Sequence, residues 1–343
     1  MPHPEKDLLI EMHEPRWSSV FTWLGFFCAF LLLEGLLLWS FLAGAWWLAI
    51  PLVLALAHLM HGHLLAFHEA AHGSLCPNPR INDALGVFIG MFSFMGFSLY
   101  RAAHYSHHSY LGTERDEELW PFVRTDKPRW YRFLAALSEL FLGLAYTPLL
   151  FFRAFIRPGS FIQNRNRRRR IWMELGLMAA AWGSIVGLVA YEGWWQYLFV
   201  MYVIPATLAG FMQSLRKYIE HMGLAGSTVL SSTRSIVDPG LLGRFLSFTL
   251  FNEPYHGVHH KYARLPYEVL PRFAGELIPS GPPADIAQER EPFPTYRHAM
   301  VDMLPSLLDP KIGAQWLEGE KQGDWSEGSE GVQDRGSILR KTG

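Results

Sequence analysis

The sequence predicts an all-α integral membrane protein, with four transmembrane helices in two hairpins and a cytosolic helical cap. Three observations predict it. Half of the 343 residues are hydrophobic and 15% are aromatic, a composition that moves the expectation from soluble domains toward a membrane protein. Apolar runs long enough to cross a bilayer come in two pairs, each closed by a tight aromatic connector. Nine of the 15 histidines fall into four clusters just beyond the ends of those runs.

Residues 1–18 form a polar, acidic segment expected on the cytosolic side. They lack a basic stretch, short apolar core and small-residue cleavage site, so the first apolar run reads as a retained anchor. That run, about 19–43, and the next, about 46–66, are joined around Gly44 to Trp47, where Trp46 and Trp47 suit a membrane interface. A second hairpin follows at about 171–191 and 194–213, with Glu192, Gly193, Trp194 and Trp195 in its connector. Apolar stretches at about 84–99 and 133–155 are shorter or interrupted by Glu139, Pro148 and Arg153, and read as interfacial or re-entrant helices.

The basic run Arg165, Arg167, Arg168, Arg169, Arg170 precedes the third span and fixes that loop in the cytoplasm. With two hairpins, the N-terminus, the segment from about 67 to 170 and everything after 214 then share the cytosolic side. The membrane domain is read as 19–272 and a cytosolic C-terminal segment as 273–343, disordered from about 315, where Gly, Ser, Glu, Lys and Asp dominate. Glu34 lies inside the first span at a depth similar to His58 on the returning helix, which predicts a Glu34–His58 pair.

Thirty Lys and Arg balance 31 Asp and Glu, so no global basic field recruits nucleic acid. Cys28 and Cys76 are the only cysteines, which excludes a disulfide framework and reads as two packed, reduced thiols.

The histidines carry the chemistry. They are His68 and His72 in HEAAH, His104, His107 and His108 in HYSHH, His221 in EHMG, and His256, His259 and His260 in HGVHH. On a helix, positions i, i+3 and i+4 share a face, so each cluster can aim its rings at a common point. Imidazole suits iron, zinc and copper, and eight or nine such ligands exceed what one tetrahedral zinc uses, so two metal ions are implied. Carboxylates able to hold the outer ring N–H groups are Glu69, Asp116, Glu117, Glu220 and Glu253. Arg101, Arg216 and Lys217 offer cations for an anionic head group.

These boxes resemble those of the membrane fatty-acid desaturase superfamily, which carries HxxxH, HxxHH and HxxHH in this order, the third after a second hairpin. The stretches GTERDEELWP and NEPYHGVHHKYARLPYEVLP resemble the family's flanks of boxes two and three, and the likeness covers about residues 20–272. It implies a di-iron site in the cytosolic cap, with His221 completing the metal shell, and dioxygen as co-substrate. It also implies oxygen-dependent desaturation of a fatty acyl chain or related lipid, since removing hydrogen from an unactivated CH2–CH2 unit requires a redox centre. Departures are Glu69, where many desaturases have Asp, and the lack of a cytochrome b5-like His-Pro-Gly-Gly motif. The latter points to a separate electron donor of the ferredoxin, rubredoxin or cytochrome b5 type.

Three alternatives remain open at this level. A lipid hydroxylase, ketolase or decarboxylase would use the same scaffold. HEAAH also fits the HExxH zinc-protease motif, with Asp238 as a third ligand, and would make an intramembrane metalloprotease. A metal transporter is disfavoured because carriers place ligands near the bilayer midplane.

Overall fold

A computed structural model describes residues 14–280 and 289–316. The expected disordered tail therefore lies almost wholly outside the described residues, as does most of the N-terminal segment. Among the described residues the chain is helical, and its only β-type pairing is an isolated parallel bridge between Ile236 and Phe293.

Helix α1 spans Trp17–Leu42 and stops at a turn where Gly44 adopts φ +70°. A single 3-10 turn, Trp46–Leu48, leads into α2, Ala49–His72. That helix ends in a left-handed cap at Gly73 (φ +77°), whose N–H donates to the Ala70 carbonyl. Next, α3 (Pro79–Met91) starts with the Asn78 side chain accepting from the N–H groups of Arg80 and Ile81, and with proline in its first turn. The second box lies on α4, Phe97–Ser109. The apolar stretch expected at 84–99 is thus two helices, broken at Phe92–Gly96, where Phe94 takes φ +52°.

Helix α5 spans Arg129–Ile156, with a kink at Leu142 and Pro148 inside it. α6 (Arg165–Glu192) is capped by Asn164 and closed by Gly193, and α7 runs over Trp195–His221. A π-helical segment at Leu198–Val203 interrupts α7, and Pro205, which cannot donate to the carbonyl four residues back, follows it. Shorter helices follow at α8 (Val229–Ser232), α9 (Leu241–Thr249), α10 (His256–Lys261) and α11 (Tyr296–Met303).

Five of these helices, counting α2 from Trp46, are long and apolar enough to cross a membrane, namely α1, α2, α5, α6 and α7. Four contain the spans read from sequence. The fifth, α5, is longer than its interfacial reading anticipated, because neither Glu139 nor Pro148 ends it. Both α2 and α7 run past the expected span ends, at 66 and 213, and so carry His68, His72 and His221 as rigid extensions.

Lipid gives apolar helices no hydrophobic reason to associate, so close backbone approach has to hold them. The crossing of α5 and α7 uses glycine on both sides. A Cβ at Gly143 would lie 2.9 Å from Ser214 Oγ and 3.0 Å from the Gly210 carbonyl oxygen. Likewise a Cβ at Gly62 of α2 would lie 2.8 Å from the Thr249 carbonyl oxygen of α9. Leu65, Phe67, Phe97, Phe151, Phe251 and Tyr267 belong to one buried core that joins α2, α4, α5 and the segment around box three.

The expected Glu34–His58 pair does not form. His58 Nε2 is 2.9 Å from Thr249 Oγ1, and its ring stacks on Phe245 at 5.8 Å, while Glu34 Oε2 is buried without a hydrogen-bond partner. Counting residues from the connector estimates depth alone and leaves the rotation of the two side chains about their helix axes undetermined. Cys76 is buried, Cys28 is exposed, and both are free thiols.

Candidate metal centre

All nine clustered histidines converge. Box one lies on the last two turns of α2, box two on α4, His221 at the end of α7 and box three on α10. They divide into two adjoining groups. His68, His72, His104, His108 and His259 each offer a nitrogen within 4.8 Å of the others. The second group combines His107, His221 and His260 with His256, which meets His221 and Glu220 under the same limit.

Helical spacing explains the division. In box two the i and i+4 residues, His104 and His108, face the first group, and the i+3 residue, His107, turns to the second. In box three the roles reverse, with His256 and His260 in the second group and His259 in the first. Residues i and i+4 diverge by about 40° around the axis and i and i+3 by about 60° in the opposite sense, so one helical face straddles two centres.

The Nε2 atoms are packed at ligand spacing. His72 Nε2 is 3.3 Å from that of His68 and 2.9 Å from that of His104, while His108 Nε2 is 3.1 Å from both His104 and His259. In the second group His256 Nε2 is 2.9 Å from His221 and 3.1 Å from His260. With metal–imidazole bonds of about 2.1 Å, neighbouring ligands sit about 3.0 Å apart in an octahedral array and about 3.4 Å apart in a tetrahedral one. The observed spacing fits two transition-metal ions.

The outward nitrogens set the tautomers. His104 Nδ1 meets Glu118 Oε2 at 2.8 Å, His107 Nδ1 meets Asp116 Oδ2 at 2.8 Å and His256 Nδ1 meets Glu253 Oε1 at 2.9 Å. His221 Nδ1 meets the Ser232 carbonyl at 3.1 Å. Each Nδ1–H donates outward and leaves the Nε2 lone pair facing the centre, the state a metal requires. Burial, and secondarily the neighbouring imidazoles, push His108, His256, His259 and His260 well below the usual histidine range, which keeps them neutral. Burial alone would raise the Glu118 carboxyl, yet His104 and His107 beside it hold it well below the usual range.

The predicted carboxylates separate. Asp116, Glu220 and Glu253 lie against the histidines, with Glu220 Oε2 3.7 Å from His256 Nε2. Glu69 instead accepts from Ser74 Oγ at 2.9 Å and from the Tyr267 N–H at 3.3 Å. Glu117 turns away to Arg153, at 3.1 Å, and Arg157. Glu118 is the carboxylate that sequence reasoning missed. Three acids stand in a row at 116–118, and only the turn after α4 decides that the first and third face the histidines.

The cations expected at a head group are already engaged. Arg216 is buried against Glu220, Lys217 is buried against Glu139, and Arg101 is 2.6 Å from Asp83. Asp238 accepts from the Gly240 N–H at 2.8 Å and belongs to neither histidine group.

The family described as fatty acid desaturase matches residues 44–290. A dihydrorhizobitoxine desaturase of Bradyrhizobium elkanii is 32% identical over 132 residues, 36% of this chain and 38% of that enzyme. A beta-carotene ketolase of Paracoccus sp. (strain PC1) is 26% identical over 250 residues, 71% of this chain and 86% of the ketolase. A beta-carotene ketolase of Paracoccus sp. (strain N81106 / MBIC 01143) is 36% identical over 87 residues, 24% of this chain and 34% of the ketolase. The chain thus spans little more than a third of the first and third of these relatives. On the family match, the chain belongs to the fatty acid desaturase family and is an oxidoreductase.

Proposed function

We propose that the protein is an oxygen-dependent di-iron oxidase that desaturates an acyl chain or a related apolar lipid. The observation that carries this reading is the division of nine imidazoles into two adjoining groups with their Nε2 lone pairs inward. Two irons held there would supply, with dioxygen and an external reductant, the two-electron oxidation of a C–H bond that no side chain achieves. The ligands are His68, His72, His104, His108 and His259 on one side, and His107, His221, His256 and His260 on the other. Asp116, Glu118 and Glu253 hold the outer ring nitrogens. Electrons come from a separate carrier of the ferredoxin, rubredoxin or cytochrome b5 type.

The substrate reading rests on a cavity between α2, α5 and α7. Met60, Leu64, Phe67 and Phe151 line it, and Tyr100, Glu118, Glu139 and Lys217 also lie in its wall. Tyr100 stacks on His104, with ring centroids 5.2 Å apart and planes 9° from parallel, so the cavity abuts the first histidine group. Its apolar wall would fix one part of a hydrocarbon chain beside the histidines.

A four-span topology with a cytosolic centre belongs to the same proposal. Boxes two and three meet at His108 and His259, so an even number of crossings separates them. Crossings by α5, α6 and α7 together would be odd. Both ends of α5 bond to the cap, Arg132 Nε donating to the Pro310 carbonyl at 2.7 Å and Arg153 reaching Glu117. These contacts support a bent helix that enters the membrane without crossing it, leaving α1, α2, α6 and α7 as spans. The arginine run ahead of α6 supports the cytosolic side.

Ketolation is the second reading, favoured by the beta-carotene ketolase match over 71% of this chain. Geometry weighs against the zinc-protease reading, because Glu69, the base of an HExxH motif, is bonded to Ser74 and Tyr267. Mass spectrometry of lipids from an expressing host is the test. Loss of two hydrogens marks desaturation, whereas gain of an oxygen marks hydroxylation and replacement of two hydrogens by oxygen marks ketolation. Unchanged lipids under aerobic conditions, with iron and reductant supplied, would contradict the oxidase reading.

A further inference from the structure

Glu253 occupies a position that no other carboxylate among the described residues shares. Its Oε1 is 2.9 Å from His256 Nδ1 in the second histidine group, and its Oε2 is 3.6 Å from His68 Nδ1 in the first. Asp116 pairs with His107 alone and Glu118 with His104 alone. The Glu253 side chain is 1% exposed, so water screens neither contact.

Two independent features hold this carboxylate. Phe251 and Asn252, directly before it, adopt φ +53° and +51°. Asparagine tolerates that left-handed conformation, but phenylalanine rarely takes it, and such backbone persists only where surrounding structure imposes it. Here the Phe251 ring is 4.7 Å from Tyr267 and 5.7 Å from Phe26, and Asn252 Nδ2 donates to the Tyr267 carbonyl at 3.1 Å. The second feature is a buried guanidinium. Arg216 Nη1 is 2.6 Å from both oxygens of Glu220 and 3.4 Å from Glu253 Oε1. One cation of α7, a turn below His221, thus ties the two acids that flank His256.

We infer that Glu253, held by Arg216, is a positioning residue that couples the two histidine groups so that their metals bind as a pair. The physical reason is shared orientation. A ring swung outward at His68 or His256 loses its partner oxygen, and the carboxylate that follows it drags on the other ring. Filling one centre fixes Glu253, and through it a ligand of the second. This inference rests on the dinuclear reading above.

The test is a titration of metal-free full-length protein in detergent with Co(II), read by d–d absorption and by bound metal per chain. Wild type is expected to take about two equivalents in one transition. Glu253→Gln keeps the shape but presents an amide N–H to one ring nitrogen that already donates. It is expected to separate the two affinities by about 10–100-fold, the usual cost of disturbing a ligand's outer partner. Arg216→Met is expected to split them similarly. Glu139→Gln is the control, since Glu139 is equally buried but bonds Lys217 and Tyr218 and no histidine; it should lower stability and leave a single transition. Two equivalents in one transition at wild-type affinity for Glu253→Gln would overturn the coupling while leaving the dinuclear reading intact. Fewer than two equivalents in wild type would remove both.

Discussion

The two histidine groups are built from the same residue type and held differently. In the first, five imidazoles come from three boxes, and their outward nitrogens are loosely tied. His104 has Glu118, His68 has only the longer contact to Glu253, and the Nδ1 atoms of His108 and His259 lack hydrogen-bond partners. In the second, three of four rings have an outer partner, namely Asp116 for His107, the Ser232 carbonyl for His221 and Glu253 for His256. The first group is therefore positioned mainly by the number of its rings and by packing of α2 against α4. The second, one ring poorer, depends on hydrogen bonds that orient three of its four rings.

The contrast is sharpest for ligands. His221→Ala leaves its group three imidazoles, and we expect turnover at background and bound iron falling from about two toward one per chain, with normal membrane insertion; elemental analysis of the folded protein checks this. His72→Ala leaves four imidazoles in the first group and should retain more iron than His221→Ala, although turnover is still lost. Equal iron in the two variants would break the comparison.

Outer partners come next. Asp116→Asn should weaken metal binding by about 10–100-fold, measured by competition with a chelator. Glu118→Gln, acting in the better supplied group, should fall at the low end of that range. A larger loss for Glu118→Gln than for Asp116→Asn would reverse the assignment.

What sequence revealed follows the same line. Eight of the nine histidines were legible because i, i+3 and i+4 spacing on a helix is a local rule that the fold had only to preserve, whereas His221, alone in EHMG, was legible only through the family resemblance. Their division into two groups was not, since it depends on how α4 and α10 face one another across 152 residues of chain from His108 to His260. Choosing among Asp116, Glu117 and Glu118 needed the turn after α4, and the failed Glu34–His58 pair needed the rotation of α1 against α2. Four of the five long apolar helices were legible as apolar runs, while the length of α5 was obscured by Glu139 and Pro148. A buried partner, Lys217, absorbs the charge of the first, and a kink at Leu142 accompanies the second in the same helix.

Two smaller effects test the frame around the centre. Gly143→Val forces side-chain atoms into Ser214 and the Gly210 backbone and should cost about 1–3 kcal/mol, seen as a lower thermal midpoint with iron per folded chain unchanged. Smallest of all, Glu69→Gln should keep turnover within several-fold of wild type, because its partners are Ser74 and Tyr267. Complete loss of activity there, with the fold and iron intact, would return Glu69 to the reacting atoms.

The central claim is that two adjoining histidine groups hold two irons. Elemental analysis combined with Mössbauer spectroscopy of the purified, 57Fe-loaded protein tests it most directly. About two irons per chain, both in nitrogen-rich high-spin sites, is the predicted result. One zinc per chain in a fully active, iron-free preparation, or a single iron per chain at full activity, would contradict it.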